Sequence, residues 1–159
     1  MATKSLILDN SSSEVSFQVK KLGIFTIKGS ITGFTGEVSF SEEALTDTNF
    51  SVCVSPSTLD TGNDKRDEHL KSKDFFFVNE HPRICFQSIS IQSTVSGYEA
   101  VGKLSMLGIT KRVTIPFSFS DGVFFGQFTL NRSDFNLGEK FPAFIVGSKV
   151  QITINYKIN

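Results

Sequence analysis

Tryptophan is absent from these 159 residues, and histidine, tyrosine and cysteine occur only twice each. Excess charge is missing too: 16 Lys and Arg stand against 16 Asp and Glu, a net charge of zero. Phosphate backbones are held by a surplus of Lys and Arg, so nucleic acid is excluded as a main partner. No stretch approaches the ~20 apolar residues of a membrane-spanning helix. Leu6-Ile7-Leu8 after Lys4 is also far shorter than the roughly 7–15 apolar residues of a secretory leader. As it stands the chain is expected to be soluble and cytoplasmic, or periplasmic if a leader has been removed. His69 and His81 are twelve residues apart. Neither HxxxH nor HExxH spacing occurs, so no metal site is expected. Ser72 lies near His69, yet no nucleophile elbow or oxyanion loop accompanies it, and no catalysis is expected. Gly102 to Gly108 lacks the Gly-Lys-Ser/Thr ending and the following helix of a phosphate loop; a hairpin is expected there. Cys53 and Cys85 have no CxxC spacing and fall out of phase with their apolar neighbours. Both should point outward, with free thiols expected in a cytoplasmic chain and a disulfide between them as the alternative.

What the chain does have is phenylalanine, 17 of them. Phe adds apolar bulk without a hydrogen-bonding handle, so it fills a core or lines a greasy cavity. Most of the chain alternates apolar and polar residues with the period of a strand. Val15, Phe17 and Val19 alternate with Ser16, Gln18 and Lys20. Phe25, Ile27, Gly29 and Ile31 fall on odd positions, but Phe34, Gly36, Val38 and Phe40 on even ones. A slip of one residue turns every side chain over unless the strand bulges, and Gly33 is the natural place. A second slip runs from Ile84 and Phe86 to Ile89 and Ile91. Gly97-Tyr98 and Asp121-Gly122 mark hairpins. The last segment is the cleanest, with Val150, Ile152, Ile154, Tyr156 and Ile158 on one side. The sum is about eight antiparallel strands in a single domain, 1–159. A sandwich or a barrel can bury them; the glycine bends and sequential hairpins favour the barrel, which at this size can hold one small ligand.

Alternation stops between Pro56 and Pro82. Thr61 followed by Asp64 reads as a capping box, and Asp67 with Lys71 as a favourable pair four residues apart. One short helix is expected at about 63–73. Phe75-Phe76-Phe77 follows, of which at least one ring must be interior.

Several stretches together resemble the YceI family of lipocalin-like, polyisoprenoid-binding proteins. Leu59-Asp60-Thr61-Gly62, then Arg66-Asp67-Glu68-His69-Leu70 and Asp74-Phe75-Phe76, is similar to that family's Asp-Thr-Gly, Arg-Asp-x-His-Leu and Asp-Phe-Phe. His81-Pro82 and Phe86-Gln87-Ser88 are similar to the Tyr-Pro and Phe-x-Ser that follow. Gly102 to Lys111 and Arg132-Ser133-Asp134-Phe135 resemble two later motifs, in the same order. The chain departs from the pattern at Ser12 and Lys21, where the family has histidines, at Asn136 for Gly, and near Leu6 and Ile7, where an early Trp is missing.

The resemblance implies an all-β fold, an eight-stranded antiparallel lipocalin-like β-barrel. Its apolar interior would carry or sequester a long isoprenoid lipid, a polyprenyl chain or an isoprenoid quinone. No catalysis and no cofactor beyond that ligand are implied. A homodimer and a transient membrane contact are the partners to expect besides the lipid. The pocket lining expected is Phe17, Val19, Phe25, Ile27, Phe34, Phe50, Phe86, Leu104, Phe117, Phe125, Phe128 and Ile152. Two readings stand for Arg66, Asp67 and His69: a polar cluster holding a head group, or an Arg–carboxylate pair and a bonded His that pin the helix. Structural ion networks gather the same residue types, so pinning is the expected role. Lys111 and Arg132 are further head-group or anchoring candidates. Two other functions remain for such a barrel: an enzyme or stress-response factor acting on a small amphipathic substrate, or an interaction module packed shut.

Overall fold

The computed structural model describes residues 4–5 and 8–158, with side chains from Leu8 to Ile158. Leu6 and Ile7, noted above for the missing Trp, lie outside the described residues. The strands are β1 (Lys4–Ser5), β2 (Glu14–Lys21), β3 (Phe25–Phe40), β4 (Asn49–Asp60), β5 (Ile84–Thr94), β6 (Gly97–Met106), β7 (Ile109–Ser120), β8 (Val123–Asn131) and β9 (Lys149–Lys157). One α-helix, α1 (Asp64–Lys71), and three 3₁₀ turns, Asn10–Ser12, Leu45–Asp47 and Arg132–Phe135, join them. From β2 to β9 each strand pairs antiparallel with the next, and β9 returns to β2. The eight strands therefore close into an up-and-down barrel, which removes the unpaired edges an open sheet would expose. The two residues of β1 add to the far end of β3, opposite Phe40 and Ser39.

Both phase slips are places where the sheet bends. Between Ser30 and Thr35 the β3–β4 register shifts twice, around Gly33 with its positive φ of 76°. Ile31 before the bend and Phe34 after it are thereby both buried. In β5 the register against β6 breaks between Ser88 and Ser90, which throws Ile89 outward and keeps Ile91 inside. Three tight hairpins, Leu22-Gly23, Leu107-Gly108 and Asp121-Gly122, put two successive residues at positive φ. That is the type I′ geometry that matches strand twist.

Gly36 has a different reason to be glycine. Its φ is 107°, and a Cβ built there lands on the carbonyl oxygen of Ser51 in the neighbouring strand. Gly36 and Val52 are partners in the β3–β4 ladder that closes the barrel. Gly36→Ala is expected to destabilise the fold by about 2–3 kcal/mol, from backbone strain and a forced parting of this ladder. Urea unfolding of the variant measures it, and an unchanged midpoint would contradict the close approach.

Two ladders are short. β4 and β5 share four pairs, Ser51 to Val54, before β4 runs on to Asp60 beside α1. β7 and β8 also share four, Phe117 to Ser120. That ladder stops at Pro116, which has no amide to donate. In the middle of the β4–β5 ladder, Cys53 faces Cys85 with Cα atoms 4.0 Å apart, and the two form a disulfide. The free thiols expected from sequence are thus corrected. The outward phase of each was visible, but not that the strands would set them directly opposite.

At the end of the barrel away from α1, rings meet edge to face. Phe40 contacts Tyr98 and Phe124 at 5.6 and 5.1 Å between centroids, and Phe50 contacts Phe117 at 5.3 Å. Such geometry sets the positive ring edge against the negative face.

Candidate functional site

Inside the barrel is a cavity of about 180 Å³. An apolar cavity of roughly 150 Å³ already stays dry and admits benzene. Among the described residues the wall holds no charged side chain. Of the expected lining, Phe17, Phe34, Phe50, Phe86, Leu104, Phe117, Phe128 and Ile152 stand on it. Four do not. Val19 packs against the core cluster beyond the cavity, and its ladder partner Ile27 is half-buried off the wall. Phe25 has the inward phase but begins β3 at the tip of a hairpin, past the reach of the barrel, and is 59 % exposed. Phe125 is turned outward, because the inward set of β8 is Phe124, Gly126, Phe128 and Leu130. With a period of two and no bulge in β8, Phe125 and Phe128 cannot share a face.

The wall also contains residues outside the expected lining, among them Phe124, Leu137 from the loop after β8, and Tyr156 on β9. Period alone could have found Phe124 from Phe128. Tyr156 falls on the apolar side of β9 by period, and period is silent on its hydroxyl. That side chain is 5 % exposed, and its ring packs against Phe34 at 5.2 Å and Phe124 at 6.1 Å. Burial pushes its phenol above the usual range, so it stays neutral and able to donate.

The charged stretch around α1 turns inward on itself. Asn63, not Thr61, caps the helix: its side chain accepts from the Arg66 amide at 2.9 Å. Asp67 is buried and accepts from both the amide and the hydroxyl of Thr61. Arg66 donates from Nε to the Thr61 hydroxyl at 2.8 Å and from Nη2 to the Thr61 carbonyl at 2.7 Å. The expected Arg66–Asp67 pair is therefore replaced by two grips on one threonine, and both fasten α1 to the end of β4. His69 Nε2 lies 2.9 Å from Asp74 Oδ2, and its ring meets Phe75 and Phe141 edge-on. Phe75, the buried member of the Phe triplet, stacks on Phe141 at 5.0 Å. The hydrogen bond from His69, reinforced by Lys140, holds the Asp74 carboxyl below its usual range. His81 lies apart, against Phe77.

Arg132 is neither exposed nor paired with a carboxylate among the described residues. The residue is 6 % exposed, and its guanidinium donates to five backbone carbonyls. Nε reaches Gly147 at 2.7 Å; Nη1 reaches Leu137 and Gly138 at 2.7 and 2.8 Å; Nη2 reaches Phe141 and Val146 at 3.1 and 2.6 Å. All five donors of the fork are used. The residue organises the loop between β8 and β9, and its head-group candidacy is corrected. Lys111 is exposed on β7, opposite Leu104.

Residues 7–158 match the YceI-like domain. The chain belongs to the YceI-like family. Among curated relatives of this YceI-like barrel is the UPF0312 protein YE1254 of Yersinia enterocolitica, 34% identical over 101 residues. That match covers 64% of this chain and 53% of the relative, so the matched part spans about half the relative's length. Among solved structures, Burkholderia cenocepacia BcnA superposes with a TM-score of 0.85 at 26% identity, covering 94% of this chain and 98% of that one. A Campylobacter jejuni YceI protein gives 0.74 at 20% identity, with 88% and 89% covered. A polyisoprenoid binding domain from Saccharophagus degradans, implicated in plant cell wall breakdown, gives 0.69 at 11% identity, with 99% and 100% covered. At those lower identities the likeness is one of fold, and the YceI-like barrel of this chain shares it.

Proposed function

We propose that this protein binds a long apolar isoprenoid lipid inside the barrel and carries or sequesters it without chemical change. The observation that carries the reading is the cavity wall, which is apolar apart from Tyr156 and among the described residues holds no charge. Each methylene moved from water to such a wall contributes roughly 0.8 kcal/mol, so a prenyl tail binds tightly with few polar contacts. The same-fold protein from Saccharophagus degradans, described as polyisoprenoid binding, supports the choice of lipid. An open cavity also speaks against a barrel packed shut.

The cavity volume of about 180 Å³ sets a scale. Sites for drug-sized ligands run to about 300–1,000 Å³. A long tail must therefore swing wall side chains aside or extend past the barrel. The hairpin tip bearing Leu22, Ile24 and Phe25, exposed beside Phe144, is the surface on which a transient membrane contact would form. Lys20, Lys21 and Lys28 flank it, as suits an anionic bilayer.

Native mass spectrometry of the purified protein, followed by organic extraction, tests the reading. A stoichiometric isoprenoid is expected, released unchanged, and its mass gives the tail length. Protein that is empty and also ignores added polyprenyl lipids would overturn it.

A further inference from the structure

Apart from Lys111, exposed on β7, the polar groups offered by the sequence for a lipid head group are engaged elsewhere. Arg66 and Asp67 are spent on Thr61, His69 on Asp74, and Arg132 on five carbonyls. Among the described residues that line the cavity, Tyr156 alone carries a side-chain hydroxyl. Tyr156 is 95 % removed from solvent, and among the described residues its hydroxyl has no hydrogen-bond partner. Tyr98, the other tyrosine of the chain, shows the ordinary arrangement: its hydroxyl donates to Glu42 at 2.9 Å. Buried hydroxyls nearly always have a partner, and one without a protein partner beside a cavity points to a partner that arrives in the cavity.

We infer that Tyr156 donates a hydrogen bond to an acceptor oxygen of the bound lipid. The ligand class is then an oxygenated isoprenoid, such as a prenyl ketone or quinone, rather than a bare hydrocarbon. Its oxygen lies within the barrel, in the half lined by Phe34 and Phe124, and not among the charged residues of α1. This rests on the carrier reading above and adds to it the polar end of the ligand and its position. Among the described residues the neighbouring wall offers no second side-chain donor, so selection works by this one bond: a chain without an acceptor leaves the hydroxyl unpaired, and a chain with one satisfies it.

The test is a competition in native mass spectrometry. The full chain is offered equal amounts of squalene and an isoprenoid ketone of the same carbon count. Wild type is expected to load the ketone over squalene by about tenfold, the scale of one buried hydrogen bond. Tyr156→Phe, which keeps the ring and its packing, is expected to bring the ratio to about one while still loading both. A second readout uses Tyr labelled with ¹³C at Cζ, which gives two signals, one each for Tyr98 and Tyr156. The Tyr156 signal is expected to move further with the ketone than with squalene, and the Tyr98 signal to hold still. Equal loading by wild type, or the same preference in Tyr156→Phe, overturns the role of Tyr156 and leaves the carrier reading intact. Failure of both lipids to load either protein overturns the two together.

Discussion

Arg132→Met is expected to lower stability by about 4–5 kcal/mol, at the top of the range for single substitutions. Arg132 is 6 % exposed and pairs with no carboxylate among the described residues; its charge is solvated by five carbonyl oxygens. Burial lowers its pKa somewhat, but from so high a value that it remains charged. Methionine matches the length of the stem and supplies no donor. Five carbonyls between Leu137 and Gly147 then lose their partner at once. Each one left buried costs about 1–3 kcal/mol, and only those that can turn to water escape it. Arg132→Lys separates charge from geometry. An ammonium keeps the charge but has three donors for five acceptors, so its loss should be smaller, about 2–3 kcal/mol. Urea midpoints in the order wild type, lysine, methionine are expected. Limited proteolysis should open the loop at Phe141 and Phe144 first. Had Arg132 been a head-group ligand, the methionine variant would keep its midpoint and lose affinity, and that result would sink the structural role.

This residue also shows where a sequence stops being legible. The alternation of β2, β3 and β9 made the barrel readable, because the side-chain period is a local property. The bends at Gly33 and Ser88–Ser90 were readable for the same reason, as slips in that period. Most of the expected lining followed from phase. Phe25 did not, because phase says which way a residue points and not how far the barrel extends. Arg132 did not either. Its partners are carbonyl oxygens, which every residue possesses, so no pattern of side chains announces them. The cluster at Arg66, Asp67 and His69 was legible as a structural group. Its partners were not, since Thr61 was assigned to a cap that Asn63 makes. Tyr156 fell between the two cases: its ring followed the strand period, and the isolation of its hydroxyl is a property of the packed interior alone.

Reduction of the Cys53–Cys85 disulfide is expected to lower stability by roughly 3–4 kcal/mol, from the chain entropy that a loop of this length regains when cut. The sequence separation is 32 residues, and the loop includes all of α1. The position raises the stake. The bond crosses β4 and β5 within a ladder of four pairs, at the seam where β4 runs on towards α1. With a denaturant slope of about 2 kcal/mol per molar for a domain of this size, the urea midpoint should fall by about 1.5–2 M in reductant. A variant carrying Cys53→Ser and Cys85→Ser should match the reduced protein and ignore reductant altogether. An identical midpoint for wild type with and without reductant would show that the cysteines do not pair in solution. The result also bears on where the protein works. Disulfides persist in oxidising compartments, whereas cytosolic thiols are kept reduced. If the barrel relies on this bond in the cell, the periplasmic alternative fits it better than the cytoplasmic one. Thiol alkylation of protein taken directly from cells decides it: two blocked cysteines in the unreduced protein are expected, and two reactive ones would return the chain to a reducing compartment.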